Sequence, residues 1–312
     1  MKVDPVAVSE FSESVMAVPP LARRTDLTLA PEQNRVLVRH IEAGGIRTLL
    51  YGGNANLYHV AVSEYQELLD MLAESAGPQT RVIPAIGPDY GKMLDQARIL
   101  AQTQYRTAMV LPLAGFTTPR GVADGLKRLC DIAGMPFTLY IKSEDYIDVD
   151  TLAALVADGT LLAVKYAIVR ADPSDDPYLR RLLQSVPASQ VVSGMGERPS
   201  LIHIRNFGLA TWTTGSGCIA PHAVMALLRA ARSADCGPAR LIHERFLPLE
   251  TLRDDISLIR VLHDAVTLSG IADMGPILPL LSATPEHALP AVESEARALL
   301  AFDRSVVNGV TA

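Results

Sequence analysis

A lysine placed at the end of an apolar strand can do chemistry that a solvated lysine cannot. In LLAVKYAI, Leu161–Ile168, four apolar residues run directly into Lys165. Burial disfavours the ammonium form and lowers the pKa of such an amine. A neutral amine can attack a ketone and leave an iminium that accepts electrons. The same pattern also fits a surface lysine at a strand end, satisfied by water or a carboxylate. A second segment, PFTLYIKSED, Pro136–Asp145, places Tyr140 at the end of the preceding apolar run. A phenol beside the amine could shuttle protons to and from the carbinolamine. It could equally be a plug at the top of a core. Lys142 follows two residues later among Ser143, Glu144 and Asp145, and is expected to be solvated and ion-paired. A third segment, YGGNANLYH, Tyr51–His59, offers Gly52 and Gly53, whose backbone can approach a ligand closely with free N–H groups. Asn54 and Asn56 add neutral donors for a carboxylate. The alternative is an ordinary glycine turn.

The elements that must position these groups recur on a regular beat. Short β-rich runs are expected at Ser14–Val18, Thr48–Tyr51, Arg81–Ile86, Thr107–Leu111, Pro136–Ile141, Leu161–Tyr166, Gln190–Ser193 and Leu209–Thr214. Helix-like segments separate them, which is the pattern of repeated βα units. LYHVAVSEYQELLDMLAES has a possible N-cap at Ser63 and places Leu68, Leu69 and Leu72 on one face. PRGVADGLKRLCDIAG begins with Pro119 and ends with Gly134, the common order at helix starts and ends. Eight strands with seven helical crossovers predict an α/β fold, a closed (β/α)8 TIM barrel over residues 1–235. An open doubly wound sheet is the competitor. No GxGxxG follows the first strand, which weakens its dinucleotide-binding version. From residue 236 to 312 the pattern is helical, over Pro238–Leu268 and Pro285–Phe302, as an appendage packed on the barrel or on a neighbouring subunit.

Bulk properties agree with a small-molecule protein. The chain has 312 residues, 49% hydrophobic and 20% charged, enough for a large core. A net charge of −6 argues against a nucleic-acid partner. The first thirty residues include early acids and no unbroken apolar run, so a signal peptide is not expected. No stretch reads as a membrane span. Cys130, Cys218 and Cys236 are scattered, form no CxxC pair, and suggest reduced thiols in a cytoplasm.

In this order and on this beat, the three segments resemble the dihydrodipicolinate synthase / N-acetylneuraminate lyase family of class I aldolases. The resemblance covers roughly Leu27 to Arg232, with a helical tail also expected. In that family a G-[IVL]-K strand end supplies the Schiff-base lysine, and Ala163-Val164-Lys165 matches it with alanine for glycine. The strand-end tyrosine lies in P-x-x-x-Y, matched by Pro136 through Tyr140. The family's carboxylate loop, G-T/S-T-G-E, reads Gly52-Gly53-Asn54-Ala55-Asn56 here, and keeps only its first glycine. Glu64 stands where the next helix commonly has a glutamate. SGMGE, Ser193–Glu197, resembles the seventh-strand segment near the substrate. TTGSGCIAP, Thr213–Pro221, resembles the segment after the eighth strand and contains Ser216.

The departures bear on the reaction. Dihydrodipicolinate synthases use a loop threonine and a second tyrosine, offered by the neighbouring subunit, in a proton relay. Those positions fall on Gly53 and on Leu113-Ala114. Their arginine for the aldehyde partner's carboxylate falls on Asp145. The resemblance therefore implies a Schiff-base lyase, aldolase or dehydratase, acting on a 2-oxo acid such as pyruvate or a 2-keto-3-deoxy sugar acid. Lys165 and Tyr140 would be catalytic. Gly52, Gly53, Asn54, Asn56, Glu197 and Ser216 would bind substrate, with Tyr166 and Arg170 as further lining candidates. Glu197 could act as an acid or base, or be a solvated loop carboxylate. Tyr166 alternates with Lys165 on the strand, and an outward position facing the helices is the alternative. His59 and His222 read as surface or packing histidines. Condensation of pyruvate with aspartate semialdehyde is one alternative, and a non-catalytic 2-oxo-acid-binding relative is another. A barrel acting on phosphorylated sugars, gripping phosphate with TTGSG, is a third. No cofactor and no metal are expected. A homo-oligomer, dimer or tetramer, is implied by the family alone.

Overall fold

The strand Leu161–Tyr166 shows how this sequence builds its barrel. Residues on both of its faces are buried, with Leu162 alone half-buried. That is the signature of a parallel strand covered on both sides. In the computed structural model, which describes residues 1–235 and 237–307, eight such strands form one parallel sheet. They are β1 (Met16–Ala17), β2 (Thr48–Tyr51), β3 (Arg81–Ile86), β4 (Ala108–Val110), β5 (Phe137–Ile141), β6 (Leu161–Tyr166), β7 (Val191–Ser193) and β8 (Thr213–Thr214). The order is β7-β6-β5-β4-β3-β2-β1-β8. A parallel bridge from Ser193 to Trp212 joins the two ends, closing the (β/α)8 barrel. Pro84, which cannot donate to a ladder, stands where the pairing of β3 passes from β2 to β4.

Helices return the chain between strands: α1 (Pro31–Ala43), α2 (Val62–Ser75), α3 (Tyr90–Leu100), α4 (Pro119–Ala133), α5 (Val149–Ala157), α6 (Pro177–Ser185) and α7 (Ser200–Phe207), with α8 (Pro221–Arg232) following β8. α4 has the expected ends. The Thr118 hydroxyl accepts from the Gly121 N–H at its start, and Gly134 closes it at φ 64°. Ser63 is not the cap of α2. The helix begins at Val62, and Ala61 before it offers no side-chain acceptor. The face bearing Tyr65, Leu68, Leu69 and Leu72 is buried and sets the helix without a cap.

β8 is shorter than the predicted Leu209–Thr214. Thr211 uses its hydroxyl on the Ser14 carbonyl, and Trp212, just before the strand, makes the seam bridge to Ser193 and accepts from the Met16 N–H. After α8 come α9 (Gly237–Asp255), α10 (Leu258–Leu268) and α11 (Leu289–Val307). The predicted helical run from Pro238 to Leu268 is two helices, because Ser257 caps a new start at Leu258. This tail packs on its own barrel. Leu50, Val110 and Val164 belong to the same continuous apolar core as Phe246, Val261, Val292 and Leu299. Cys130 and Cys218 are free thiols, and Cys236 lies outside the described residues. Among the described residues, no helix is long and apolar enough to cross a membrane.

Candidate active site

Register places the amine and the phenol together. Tyr140 of β5 pairs with Lys165 of β6. Paired residues of parallel neighbours point to the same face, so both side chains enter the barrel top. The Lys165 Nζ lies over the face of the Tyr140 ring, 3.9 Å from its centroid. Lys165 is 6% exposed. Among the described residues no carboxylate pairs with it and no hydrogen bond engages its amine. Burial, then the charges of Lys142 and Arg253, push its pKa down to about 7. Half the amine is therefore neutral near physiological pH, without any base to deprotonate it. Burial pushes the Tyr140 phenol well above its ordinary value, so it keeps its proton at neutral pH.

Gly194, after β7, makes room for the lysine. A Cβ there would stand 2.9 Å from Lys165 Cγ and 2.9 Å from the Tyr166 carbonyl oxygen. The stem of Lys165 thus passes where any side chain at position 194 would collide. We expect Gly194→Ala to cost about 1–3 kcal/mol through overpacking. It should also slow adduct formation at Lys165 by about tenfold, since a displacement near 1 Å can cost more than that. Denaturant unfolding and borohydride trapping check the two parts separately.

Lys165 and Tyr140 face a cavity of about 210 Å³ at the strand ends. Gly53 and Asn54 line it, as do Tyr58, Glu250 and Arg253. The loop after β2 turns back on itself, with the Asn56 N–H donating to the Gly53 carbonyl and the Leu57 N–H to that of Gly52. The Asn54 amide donates to the Val18 carbonyl at 2.9 Å and pins the loop to the end of β1. Among the described residues, no hydrogen bond takes up the N–H of Gly53 or of Asn54. A larger hollow of about 760 Å³ lies between α3 and α4, beside Phe116 and Tyr146. It contains no lysine and none of the strand-end cluster, so size alone does not locate the chemistry.

Four of the predicted binding residues are not on the cavity wall. Gly52 is a packing glycine, since a Cβ there would stand 2.5 Å from Met109 Cε. Asn56 adopts a left-handed conformation at φ 54° and is buried, with neither amide atom partnered. It faces a separate hollow of about 10 Å³ beside Arg23 and His263. Glu197 is fully buried. Its Oε1 accepts from the Thr214 hydroxyl and from Trp212 Nε1 at 3.4 Å, while Oε2 has no partner. Burial and the nearby Glu250 charge push its pKa up. Ser216 is buried and donates to Glu250 Oε1 at 2.5 Å.

The other candidates have structural partners. Tyr166 points outward, donating to Asp176, the N-cap of α6. Arg170 pairs with Glu144 and Asp176. Because Glu144 is so engaged, Lys142 is not ion-paired among the described residues, and it lies exposed at the cavity rim. Glu64 binds Arg23 through both oxygens. His222 meets Asp303 at 2.9 Å where α8 packs on α11, and His59 is exposed.

Three residues on the cavity escaped sequence reasoning. Tyr58 lies in the glycine-loop segment itself, yet only the fold brings it onto the same cavity as Tyr140. Glu250 and Arg253 belong to α9 in the tail. Their i,i+3 spacing is a weak signal, because exposed helices show the same spacing.

No family model matches the chain, and no curated protein matches it by sequence. Solved structures do match it. The dihydrodipicolinate synthase of Bacillus clausii aligns over 96% of this chain and 100% of its own, with a TM-score of 0.81 and 19% identity. That of Oceanobacillus iheyensis aligns over 96% and 100%, with a TM-score of 0.80 and 17% identity. The sialic acid aldolase of Ruminococcus gnavus aligns over 95% and 99%, with a TM-score of 0.78 and 12% identity. This chain is thus a (β/α)8 barrel with a helical tail, sharing its whole fold with dihydrodipicolinate synthases and with a sialic acid aldolase.

Proposed function

We propose that the chain is a divergent member of the dihydrodipicolinate synthase / N-acetylneuraminate lyase family. On this reading it is a Schiff-base-forming lyase, an aldolase or dehydratase, acting on a 2-oxo acid. The observation that supports it best is the buried Lys165 amine, with no anionic partner among the described residues, over the Tyr140 ring at the strand ends. The R. gnavus sialic acid aldolase, whose fold is shared, has a catalytic lysine.

In this reading the neutral Lys165 amine attacks the C2 ketone. Tyr140 gives its proton to the oxygen that becomes hydroxyl, takes one back from the carbinolamine nitrogen, and gives it to that hydroxyl, which leaves as water to form the iminium. The iminium then acidifies C3 or accepts the electron pair of a breaking C3–C4 bond. In the first case loss of a hydroxyl from C4 completes a dehydration. In the second an aldehyde departs and the pyruvate enamine is reprotonated. The N–H groups of Gly53 and Asn54 hold the substrate carboxylate, as paired backbone donors do for anions. Asp145, exposed in the position of the synthases' arginine, does not favour a semialdehyde partner. On the same reading the protein works in the cytoplasm as a dimer or tetramer, which sedimentation in solution tests.

The pH dependence of adduct formation tests the reading. Only the neutral amine attacks, so the rate of trapping by pyruvate and cyanoborohydride should rise about tenfold per pH unit below 7. It should level off above about 7.5. A rate that keeps climbing to pH 10 would mean an ordinary, solvated lysine and would sink the proposal.

A further inference from the structure

We infer that Arg253, held by Glu250 and Ser216, is a recognition site for a second carboxylate on the substrate. The inference rests on the proposed Schiff-base reading for the identity of the ligand's other end. The substrate it points to is a 2-oxo dicarboxylate, with its distal carboxylate beyond C3.

α9 brings Arg253 to the mouth of the barrel on the β7–β8 side. The guanidinium lies flat against the backbone of Gly215, where a Cβ would stand 2.3 Å from Nη2. Its Nη1 donates to Glu250 Oε1, and the Ser216 hydroxyl donates to the same oxygen. Glu250 Oε2 lies against Gly196, where a Cβ would be 2.5 Å away. Two glycines and a serine therefore clamp this pair in one orientation. Arg253 is 4% exposed and Glu250 2%, yet both line the Lys165 cavity. The Arg253 Nε reaches the Leu258 carbonyl at 3.4 Å, and Nη2 has no hydrogen-bond partner among the described residues.

A buried ion pair rarely improves on apolar packing for stability. This one lines the wall of a reactive cavity and still has guanidinium N–H donors to offer. A guanidinium is always charged and presents paired donors matched to a carboxylate. Asp254, the other acid on the cavity, is occupied by Arg198 at 2.8 Å. Exposed Lys142 at the rim adds positive potential. The amides of Gly53 and Asn54, at the β2 end, are separate from Arg253, so a ligand can use both. That arrangement suits a molecule with an anion at each end and a ketone between them.

The test compares 2-oxoglutarate with 2-oxopentanoate, matched in length and differing in the distal carboxylate. Cyanoborohydride trapping at increasing concentration gives a half-saturation for each. We expect the diacid to half-saturate at least tenfold lower, and this ratio to fall to about one in Arg253→Met/Glu250→Gln. The double variant removes both charges, so neither is stranded. Arg253→Lys, which keeps the charge but loses the fork, should fall between. A ratio near one in the parent protein, or one that survives in the double variant, overturns the inference. Thermal shifts with glutarate and pentanoate repeat the comparison without a ketone. A glutarate-specific shift that needs Arg253, with no adduct from any 2-oxo acid, would leave the subsite standing and remove the lysine reading. Adducts that form without a diacid preference would do the reverse. A larger shift from inorganic phosphate than from glutarate would overturn the choice of a carboxylate.

Discussion

Lys165→Met is expected to abolish adduct formation with 2-oxo acids, to lower turnover by at least a thousandfold, and to make the protein more stable. The first two follow, on the proposed reading, from removing the amine that forms the iminium. The third follows from the burial of that atom. The folded-state pKa of Lys165 is about 7, against 10.5 for a free side chain. Between these values the unfolded chain binds the extra proton, so folding must release it. At pH 7.5 the cost is roughly 4 kcal/mol, at about 1.4 kcal/mol per pH unit. The amine is mostly neutral at pH 7.5, so loss of its contact with the Tyr140 ring offsets at most about 1 kcal/mol. Methionine, apolar and similar in length, fits the space. A net gain of about 3 kcal/mol should appear in urea unfolding at pH 7.5. The cost is fully present below pH 7 and fades toward pH 10.5, so the difference between the two proteins should shrink over that window. A variant less stable than the parent at pH 7.5 would show that Lys165 is satisfied by contacts the account does not include.

Tyr140→Phe separates the ring from the hydroxyl. The ring face that covers the Lys165 amine is kept, and so is the burial that lowers its pKa. Only the proton carrier is lost. General acid–base groups typically contribute 10²–10⁴-fold. Turnover should fall by about 10²-fold or more, while the pH at which adduct formation levels off should stay near 7. A fall in turnover with that midpoint unmoved identifies Tyr140 as a proton carrier. A midpoint that moves toward 10 would show that the hydroxyl instead holds the lysine in its environment. Tyr58, on the same cavity, is a candidate to relay protons from Tyr140 outward, because burial pushes its phenol up and keeps it protonated as well.

How far the sequence reveals this arrangement depends on range. The bounds of β2, β3 and β6 follow from apolar runs whose residues are buried on both faces, a purely local pattern. The pairing of Tyr140 with Lys165 was also within reach, because consecutive strands of a barrel are neighbours and both residues end their runs. The loop residues were harder. Gly53 and Asn54 reach the cavity while Gly52 and Asn56 turn away, which depends on φ/ψ at single positions and on Met109 one layer below. Glu197 and Ser216 look alike in sequence to residues that meet substrate, but one is capped by Thr214 and Trp212 and the other by Glu250. Arg253 was out of reach because nothing local separates it from a solvated helix charge. Its role comes from the packing of α9 across the barrel mouth, a contact between residues far apart in the chain.

The central claim is that Lys165 is the nucleophile. It is tested most directly by incubating the protein with pyruvate, reducing with borohydride, and mapping the modified residue by peptide mass spectrometry. One carboxyethyl group on Lys165, and none on it when pyruvate is omitted, is the predicted result. No increment, or an increment on Lys142 or another lysine with Lys165 untouched, would contradict the account.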